Sequence, residues 1–227
     1  MKLRSGIITV ILVVMIIGGL GLMLYPTASD TVNRIENGSE IDRYRSRTAE
    51  LSAAEIALYF EAADAYNHEI LKYPRGFSDR LTVPGYDGIP DVTGMGMWGF
   101  VEVPKIGVLL PVYPGTDADT LETAIGHLPG TSIPAGGAGT HSCLSAHRGL
   151  PTARLFTDLP KLEIGDSFTV TVLDRTMIYE IDRIETVLPS VTEPLDLDPG
   201  QDYCTLMTCT PYGINSHRLM VRGKRVG

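Results

Sequence analysis

Residues 205–218 have the sequence TLMTCTPYGINSHR, and this stretch decides the fold of the region around it. The pattern predicts a strand that ends near Cys209, a tight turn that contains Gly213, and a second strand that begins near Arg218. If the two strands pair as an antiparallel hairpin, the thiol and the guanidinium project from neighbouring strands toward one place. We therefore expect a nucleophilic sulfur beside a fixed cation at the end of a sheet.

A third reactive group comes from residues 145–149, SAHRG, where His147 lies at the end of another strand-like run. A thiolate attacks a peptide carbonyl well, and the acyl product is a thioester that an amine can resolve. A histidine can give a proton to the leaving amine and take one from the incoming amine. Cysteine, histidine and arginine together therefore predict acyl transfer through a thioester.

The C-terminal part of the chain has the pattern of an all-β domain. Short strand-like runs follow one another between Trp98 and Lys224, with few helical patterns among them. The runs are residues 98–103, 108–113, 140–146, 168–173, 177–188, 203–208 and 217–224, with short helical patterns at 117–125 and 153–159. Residues 174–176 are expected to form the turn of a hairpin. This number of short strands predicts a closed β-barrel.

Two further stretches, GHLPGTS at 126–132 and AHRGLP at 146–151, join the hairpin segment in a recognisable order. Together they resemble the sortases, a family of bacterial cysteine transpeptidases, and most of all class C, which builds pili. The resemblance extends from about Ile56 to Arg225 and implies an eight-stranded barrel. The expected fold class is therefore mostly β: a closed sortase-type barrel with short helices, preceded by N-terminal helices and one transmembrane helix. No metal and no organic cofactor is implied.

The chemistry and the resemblance assign the same three residues to catalysis. Cys209 is the expected nucleophile and His147 the expected acid and base. Arg218 is the expected donor to the oxyanion, because a guanidinium is planar and permanently charged. The alternatives are a buried structural cysteine, a surface arginine in an ion pair, and Arg148 in place of Arg218. The other histidines of the matched stretches are expected to be structural: His127, His141 and His217.

The resemblance implies a substrate with a C-terminal sorting signal of the Leu-Pro-x-Thr-Gly kind, cut between Thr and Gly. In class C the acceptor amine is usually a lysine of another pilin subunit, so the product is a covalent pilus. Three alternatives stay open: a sortase that anchors surface proteins to a cell-wall precursor, a silent peptide-binding module, and a cysteine protease. For peptide specificity the family fold points to the loop 189–200 and the strand after Pro104.

Residues Ile7 to Leu24 form an apolar run of 18 residues without charge, preceded by Lys2 and Arg4. A bilayer core needs about 20 apolar residues, with a lower limit of about 17. The exit at residues 25–28, YPTA, is a poor cleavage site, so we predict an uncleaved signal anchor. The basic start would stay in the cytoplasm, and the catalytic domain would face outward from a Gram-positive-type cell. A cleaved signal peptide is the alternative, and it also implies export.

The chain is expected to have four parts. These are a basic start and anchor at 1–28, a helical spacer that packs on the domain at 29–71, a loop at 72–93, and the catalytic barrel at 94–227. Within the spacer, Ser29 or Asp30 is expected to cap the helix, and residues 37–39, NGS, to split it in two.

The loop 72–93 has a counterpart in class C sortases that often covers the active site as a lid. That lid carries an Asp-Pro-aromatic tripeptide, which this chain lacks. Tyr73, Phe77 or Tyr86 would then be the plug, and an ordinary linker is the alternative. Many class C members also have a second membrane helix beyond the position of Gly227.

Charge and cysteine content restrict the function further. The net charge is −8 and no basic cluster occurs, which argues against a nucleic-acid partner. Three cysteines in an exported protein leave at least one thiol unpaired. A disulfide between Cys143 and Cys204 would stiffen the strands that carry the site, but strand parity favours two buried free thiols. A zinc site with Cys204, Cys209 and histidines matches no common spacing.

Overall fold

The computed structural model describes residues 2–150 and 152–227, with side chains from residue 11 onward apart from residue 151. The predicted basic flank of Lys2 and Arg4, the start of the apolar run at Ile7, and Pro151 of the AHRGLP motif lie outside the described side chains. The helices are α1 (Lys2–Glu50), α2 (Ala53–Ile70), α3 (Phe77–Arg80) and α4 (Ala118–Thr123).

Helix α1 runs without interruption, so the predicted cap at Ser29 or Asp30 and the predicted break at residues 37–39 are wrong. The helix continues through the NGS sequence because Asn37 is buried there and donates a hydrogen bond to the carbonyl oxygen of Thr123 at 3.1 Å. The break comes later, before α2. Ser52 caps that helix with a full capping box, in which its side chain and Glu55 each accept from the other's backbone N–H.

The N-terminal half of α1 has the character of a membrane helix. From Ile11 onward it is long and apolar enough to cross a bilayer, and its apolar stretch is not buried against the rest of the protein. In the C-terminal half the same helix packs on the domain, with Ile41 and Tyr44 fully buried. One continuous element therefore joins the apolar segment to the globular part.

Eight strands form a closed barrel, as predicted. They are β1 (Gly99–Val103), β2 (Val108–Pro114), β3 (Ile125–His127), β4 (Thr140–Ser145), β5 (Ser167–Val172), β6 (Arg175–Val187), β7 (Asp202–Thr210) and β8 (His217–Arg225). Their order around the barrel is β1-β2-β3-β4-β7-β8-β6-β5. The pairs β2–β3 and β4–β7 are parallel, and the other pairs are antiparallel.

Two local predictions differ from the structure. Strand β3 has no counterpart among the predicted strands, because three residues are too few to show an alternating pattern. Residues 153–159 were expected to be helical, but Leu155 has a φ of 41° and forms an isolated bridge with Arg148. That backbone conformation is incompatible with a right-handed helix.

Alternation along the strands separates an inner from an outer face of the barrel. Leu144 on β4, Leu206 on β7 and Val221 on β8 point inward and are fully buried in the main core. Cys143, Met207 and Met220, each one residue away, belong to a separate cluster on the outer face. Cys209 and Arg218, each two residues from a methionine of this cluster, share this outer face.

The hydroxyl of Tyr44 joins α1 to the residues that adjoin the start of β1 and the end of β5, and its removal should destabilise the fold. It donates to the carbonyl oxygen of Trp98 and accepts from the backbone N–H of Leu173, both at 2.8 Å. Tyr44→Phe leaves both buried groups unpaired, which costs about 1–3 kcal/mol. We expect thermal unfolding of the full chain in detergent micelles to shift down by about 5 °C. Tyr73→Phe, at a side chain 46% exposed, is the matched control, and equal melting of the two variants would contradict the expectation.

Candidate active site

The hairpin β7–β8 holds Cys209 and Arg218 directly opposite each other. The antiparallel register pairs these two residues, so their side chains leave the same face about 5 Å apart at Cβ. The turn between the strands has a positive φ at Gly213 (74°) and at Asn215 (59°). The carbonyl oxygen of Pro211 closes it by accepting from the N–H of Asn215 at 2.9 Å. The predicted neighbourhood of thiol and guanidinium is therefore present.

His147 reaches the same face from β4. Strand β4 pairs in parallel with β7, and Ser145 lies beside Met207 in that register. Beyond the strand end the backbone N–H of Ala146 still bonds to the carbonyl oxygen of Met207 at 3.2 Å, and Thr208 Oγ1 donates to the carbonyl oxygen of Ala146 at 2.8 Å. These bonds continue the strand geometry, so His147, two residues after Ser145, points outward like Cys209.

All three predicted catalytic residues line one groove of about 360 Å³ on the outer face of the barrel. Each of the three side chains is half-buried. Most of the remaining lining is apolar and comes from several segments of the chain: Phe77, Leu121, Leu128, Pro189, Val191, Leu195, Met207 and Met220. The groove thus combines three reactive groups with walls that exclude water from a bound peptide.

Two arginines lie at or beside the groove: Arg218 lines it, and Arg148 follows His147 in the chain. Arg218 directs its guanidinium to the carbonyl oxygens of Asn215 and His217, at 3.3 and 3.2 Å. Arg148 donates to Thr210 Oγ1 at 3.1 Å, and its buried Nε has no partner. In the described part of the chain no carboxylate forms an ion pair with either arginine. The Arg218 guanidinium, which lines the groove, can stabilise negative charge that develops on a carbonyl oxygen bound there.

The three histidines expected to be structural lie away from the groove. His127 is buried, with Nε2 at 2.8 Å from the carbonyl oxygen of Ser132 and Nδ1 at 2.9 Å from the hydroxyl of Tyr86. His141 is buried as well, and its ring nitrogens contact the carbonyl oxygen of Asp196 and the hydroxyl of Thr205. A carbonyl only accepts, so in each ring the nitrogen that faces the carbonyl carries a proton and donates it. His217 contacts Ser216 Oγ at 2.9 Å.

The other two cysteines are free and buried on opposite sides of the barrel wall. Cys204 faces the main core, whereas Cys143 faces the outer cluster, so a disulfide between them would have to pass through the sheet. Burial raises the pKa of the Cys143 thiol to about 12 and also raises that of Cys204. Among the described residues no group of three or more metal-binding side chains comes together.

The segment 72–93 contributes Phe77 to the lining of the groove. Of its three aromatic candidates, Phe77 lines the groove, Tyr86 packs against His127, and Tyr73 is exposed. Arg80, fully buried, holds the segment in place. It donates to the carbonyl oxygens of Tyr73, Pro74, Gly130 and Leu195 at distances from 2.8 to 3.0 Å. Whether the segment moves as a lid stays a prediction.

Some groove residues were missed by the sequence analysis. Met207 and Met220 lie two residues from Cys209 and Arg218, and strand alternation alone would have placed them on the same face. Leu121 and Leu128 come from the region around β3, and no local signal connects them to the site. Of the two segments proposed for specificity, the loop 189–200 contributes to the groove, whereas the described residues of β2 do not line it.

Residues 101–226 match the family described as "Sortase domain". This segment is more than half of the chain and contains all three candidate catalytic residues. The chain belongs to the sortase family. Among curated relatives, sortase D of Bacillus subtilis is 32% identical over 131 residues, which cover 56% of this chain and 63% of that protein. The match thus spans less than two thirds of that relative.

Solved structures of sortases extend the similarity over most of the chain. Sortase C1 of Streptococcus agalactiae has a TM-score of 0.74 at 42% identity and covers 83% of this chain and 98% of its own. Sortase C-1 of Streptococcus pneumoniae has a TM-score of 0.72 at 39% identity, with the same coverages. The sequence-based prediction of a class C type sortase fold is confirmed.

Stability should depend on pH through the two buried histidines. Burial lowers the pKa of His127 and of His141 from 6.5 to about 4, so both stay neutral in the folded protein at pH values where the unfolded chain binds protons. The two neutral histidines contribute fully to the free energy of unfolding above about pH 6.5, and this contribution is lost as the pH falls toward 4. From pH 7 to pH 5 the loss is about 2 kcal/mol per histidine.

Thermal unfolding of the full chain in detergent at these pH values measures this loss. His141→Gln should remove about half of the change in melting temperature between pH 7 and pH 5. His68→Gln, at an exposed position, should leave that change as it is in the wild type. A melting temperature that does not vary between pH 7 and pH 5 would be the contrary result.

Thiol labelling should distinguish Cys209 from the other two cysteines. The half-buried thiol of Cys209 opens into the groove, whereas burial and a raised pKa protect Cys143 and Cys204. We expect iodoacetamide to add one carbamidomethyl group to the folded protein at Cys209, and three after denaturation without reductant. A single modified thiol after denaturation would instead support the disulfide.

Proposed function

We propose that this sortase is a membrane-anchored cysteine transpeptidase that cuts a Leu-Pro-x-Thr-Gly-like sorting signal between Thr and Gly and transfers the acyl part to an amine. The observation that carries the proposal is the meeting of Cys209, His147 and Arg218 in one apolar-walled groove. A thiol, a proton carrier and an oxyanion donor are the three groups that this reaction requires.

The first half of the reaction forms the thioester. The Cys209 sulfur attacks the Thr carbonyl carbon, and the π electrons move to the carbonyl oxygen, where the Arg218 guanidinium stabilises the negative charge. The intermediate collapses as the bond to the Gly nitrogen breaks. His147 gives its proton to that nitrogen, so the Gly-side fragment leaves as a neutral amine.

The second half regenerates the enzyme. An acceptor amine attacks the thioester carbon, and His147 takes the proton that the nitrogen loses. Collapse of this second intermediate breaks the carbon–sulfur bond and restores the Cys209 thiolate. The product is an amide between the Thr carboxyl and the acceptor, so the peptide-bond energy is conserved and no cofactor takes part.

A lysine of a pilin subunit is the acceptor that we propose. The support is the similarity to solved sortase C1 structures, one of which is named as sortase C1 of GBS pilus island 1. A cell-wall precursor amine is the competing acceptor, and the groove itself has no feature that separates the two. The apolar α1 supports the further proposal that residues 1–28 anchor the enzyme in the membrane, with residues 29–227, including the segment 72–93 and the barrel, outside the cell.

The decisive test follows the intact mass of the full chain in detergent micelles. With a Leu-Pro-x-Thr-Gly peptide, the mass should increase by the Thr-terminated acyl fragment, and a lysine-bearing acceptor should remove it as a ligated product. Cys209→Ala should abolish the adduct, whereas Cys204→Ala should retain it. Arg218→Lys should slow acylation by about 10²–10³-fold because the flat two-donor contact is lost.

Arg183→Lys, at a half-exposed arginine of β6, is the matched control for Arg218→Lys. An adduct that forms equally in Cys209→Ala would overturn the proposal. A wild-type chain that binds the peptide without ever forming an adduct would favour the silent binding module. Hydrolysed product at the same rate with and without amine would favour the protease.

A further inference from the structure

The His147 ring has no hydrogen-bond partner among the described residues, although an acid–base histidine is usually oriented by one. In the part of the chain that the structure describes, no carboxylate or carbonyl fixes its tautomer or its rotation. The position of the ring therefore depends on the backbone that carries it and on whatever holds that backbone.

That backbone belongs to a closed loop. The carbonyl oxygen of His147 accepts from the N–H of Phe156 at 3.1 Å, and the N–H of Gly149 donates to Thr157 Oγ1 at 3.1 Å. Arg148 pairs with Leu155 in an isolated bridge. The two ends of the loop thus hold each other, and Phe156, fully buried, anchors the returning end in the core. These bonds connect the returning end of the loop directly to the backbone of His147 and Gly149.

Helix α1 holds the tip of the loop. Asn33 Nδ2 donates to the carbonyl oxygen of Thr152 at 2.6 Å, and Asp30 Oδ1 accepts from the backbone N–H of Arg154 at 2.9 Å. The two contacts fall on alternate residues of the tip and use one acceptor and one donor of its backbone. Both come from side chains on the stretch of α1 that leads out of the apolar segment.

The helix is itself fixed to the barrel along one face. Asn33 is followed at helical spacing by Asn37, which bonds to the carbonyl oxygen of Thr123, and then by the buried Ile41 and Tyr44. Residues three and four apart lie on the same side of a helix, so this face is a continuous contact stripe. Its last two members enter the core, and its first member holds the histidine loop.

We propose that Asn33, with Asp30, is a positioning residue for His147: helix α1 holds the histidine loop, described at residues 148–150 and 152–157, and through it keeps the acid–base histidine at the groove that also contains Cys209. This inference rests on the proposed role of His147. A displacement of about 1 Å at a reacting group can cost on the order of 10²-fold in rate. A loop freed at its tip would therefore reduce the rate of proton transfer more than it reduces peptide binding.

The test uses the full chain in detergent and the variant Asn33→Asp, which keeps the shape of the side chain and replaces the donor with an oxygen. Asn33→Leu removes the donor without adding charge. Ser39→Asp places the same carboxylate on an exposed position of α1 and is the control. The measurements are kcat and KM for transpeptidation and amide hydrogen exchange of residues 148–157.

We expect both Asn33 variants to lower kcat about tenfold while KM stays within about twofold of the wild-type value. Amide hydrogen exchange should become faster in residues 148–157 alone. Ser39→Asp should behave as wild type in all three measurements. Wild-type kcat in both Asn33 variants, or a fall in kcat without faster exchange in the loop, overturns the positioning role. A general structural role would lower kcat and the melting temperature together and raise KM. That outcome overturns the positioning role as well. A wild-type chain without turnover would overturn the proposed function itself and is recognised before any variant is compared.

Discussion

The register between β7 and β8 is the constraint on which the site depends. Because Cys209 and Arg218 are directly opposite in an antiparallel pair, sulfur and guanidinium share a face, and a slip of one residue would send one of them into the barrel. The inward residues on either side, Leu206 and Val221, make such a slip costly, since it would expose buried apolar side chains. The packing of the core thus fixes the geometry of the reactive groups without any direct bond between them.

The walls of the groove depend on contacts of a different kind. Arg80 is a buried cation whose partners are carbonyl oxygens from three parts of the chain, and it connects the segment that carries Phe77 to Gly130 and to Leu195. Separating these segments would leave a guanidinium and several carbonyls without partners in a poorly hydrated place, which costs free energy. The segment that carries Phe77 is therefore held by buried hydrogen bonds, whereas among the described residues two side-chain hydrogen bonds from α1 hold the tip of the histidine loop.

The sequence predicted the barrel and the meeting of Cys209, His147 and Arg218 because the patterns behind both predictions are local. Alternating strands, a turn with Gly213 and short motifs around His147 and Cys209 are all visible within about ten residues. The predictions that were wrong concern features that depend on contacts between residues far apart in the sequence. Asn37 stays helical because its side-chain amide donates a hydrogen bond to the carbonyl oxygen of Thr123. Leu155 adopts a non-helical backbone conformation because it forms a β-bridge with Arg148. The apolar lining from Leu121 and Leu128 and the role of α1 at the histidine loop depend on tertiary packing, which no local pattern encodes.

The parallel pairing of β4 with β7 has a consequence for how activity arises during folding. It joins residues such as Thr140 and Asp202, which are 62 positions apart, with the whole β5–β6 hairpin between them. Pairings of such large sequence separation carry a high loop-closure entropy and form slowly. Until this pairing exists, Cys209 and His147 lie on segments that do not meet. A nascent or partly unfolded chain therefore holds the Cys209 thiol apart from the His147 imidazole, and the groove that contains both exists only once the barrel has closed.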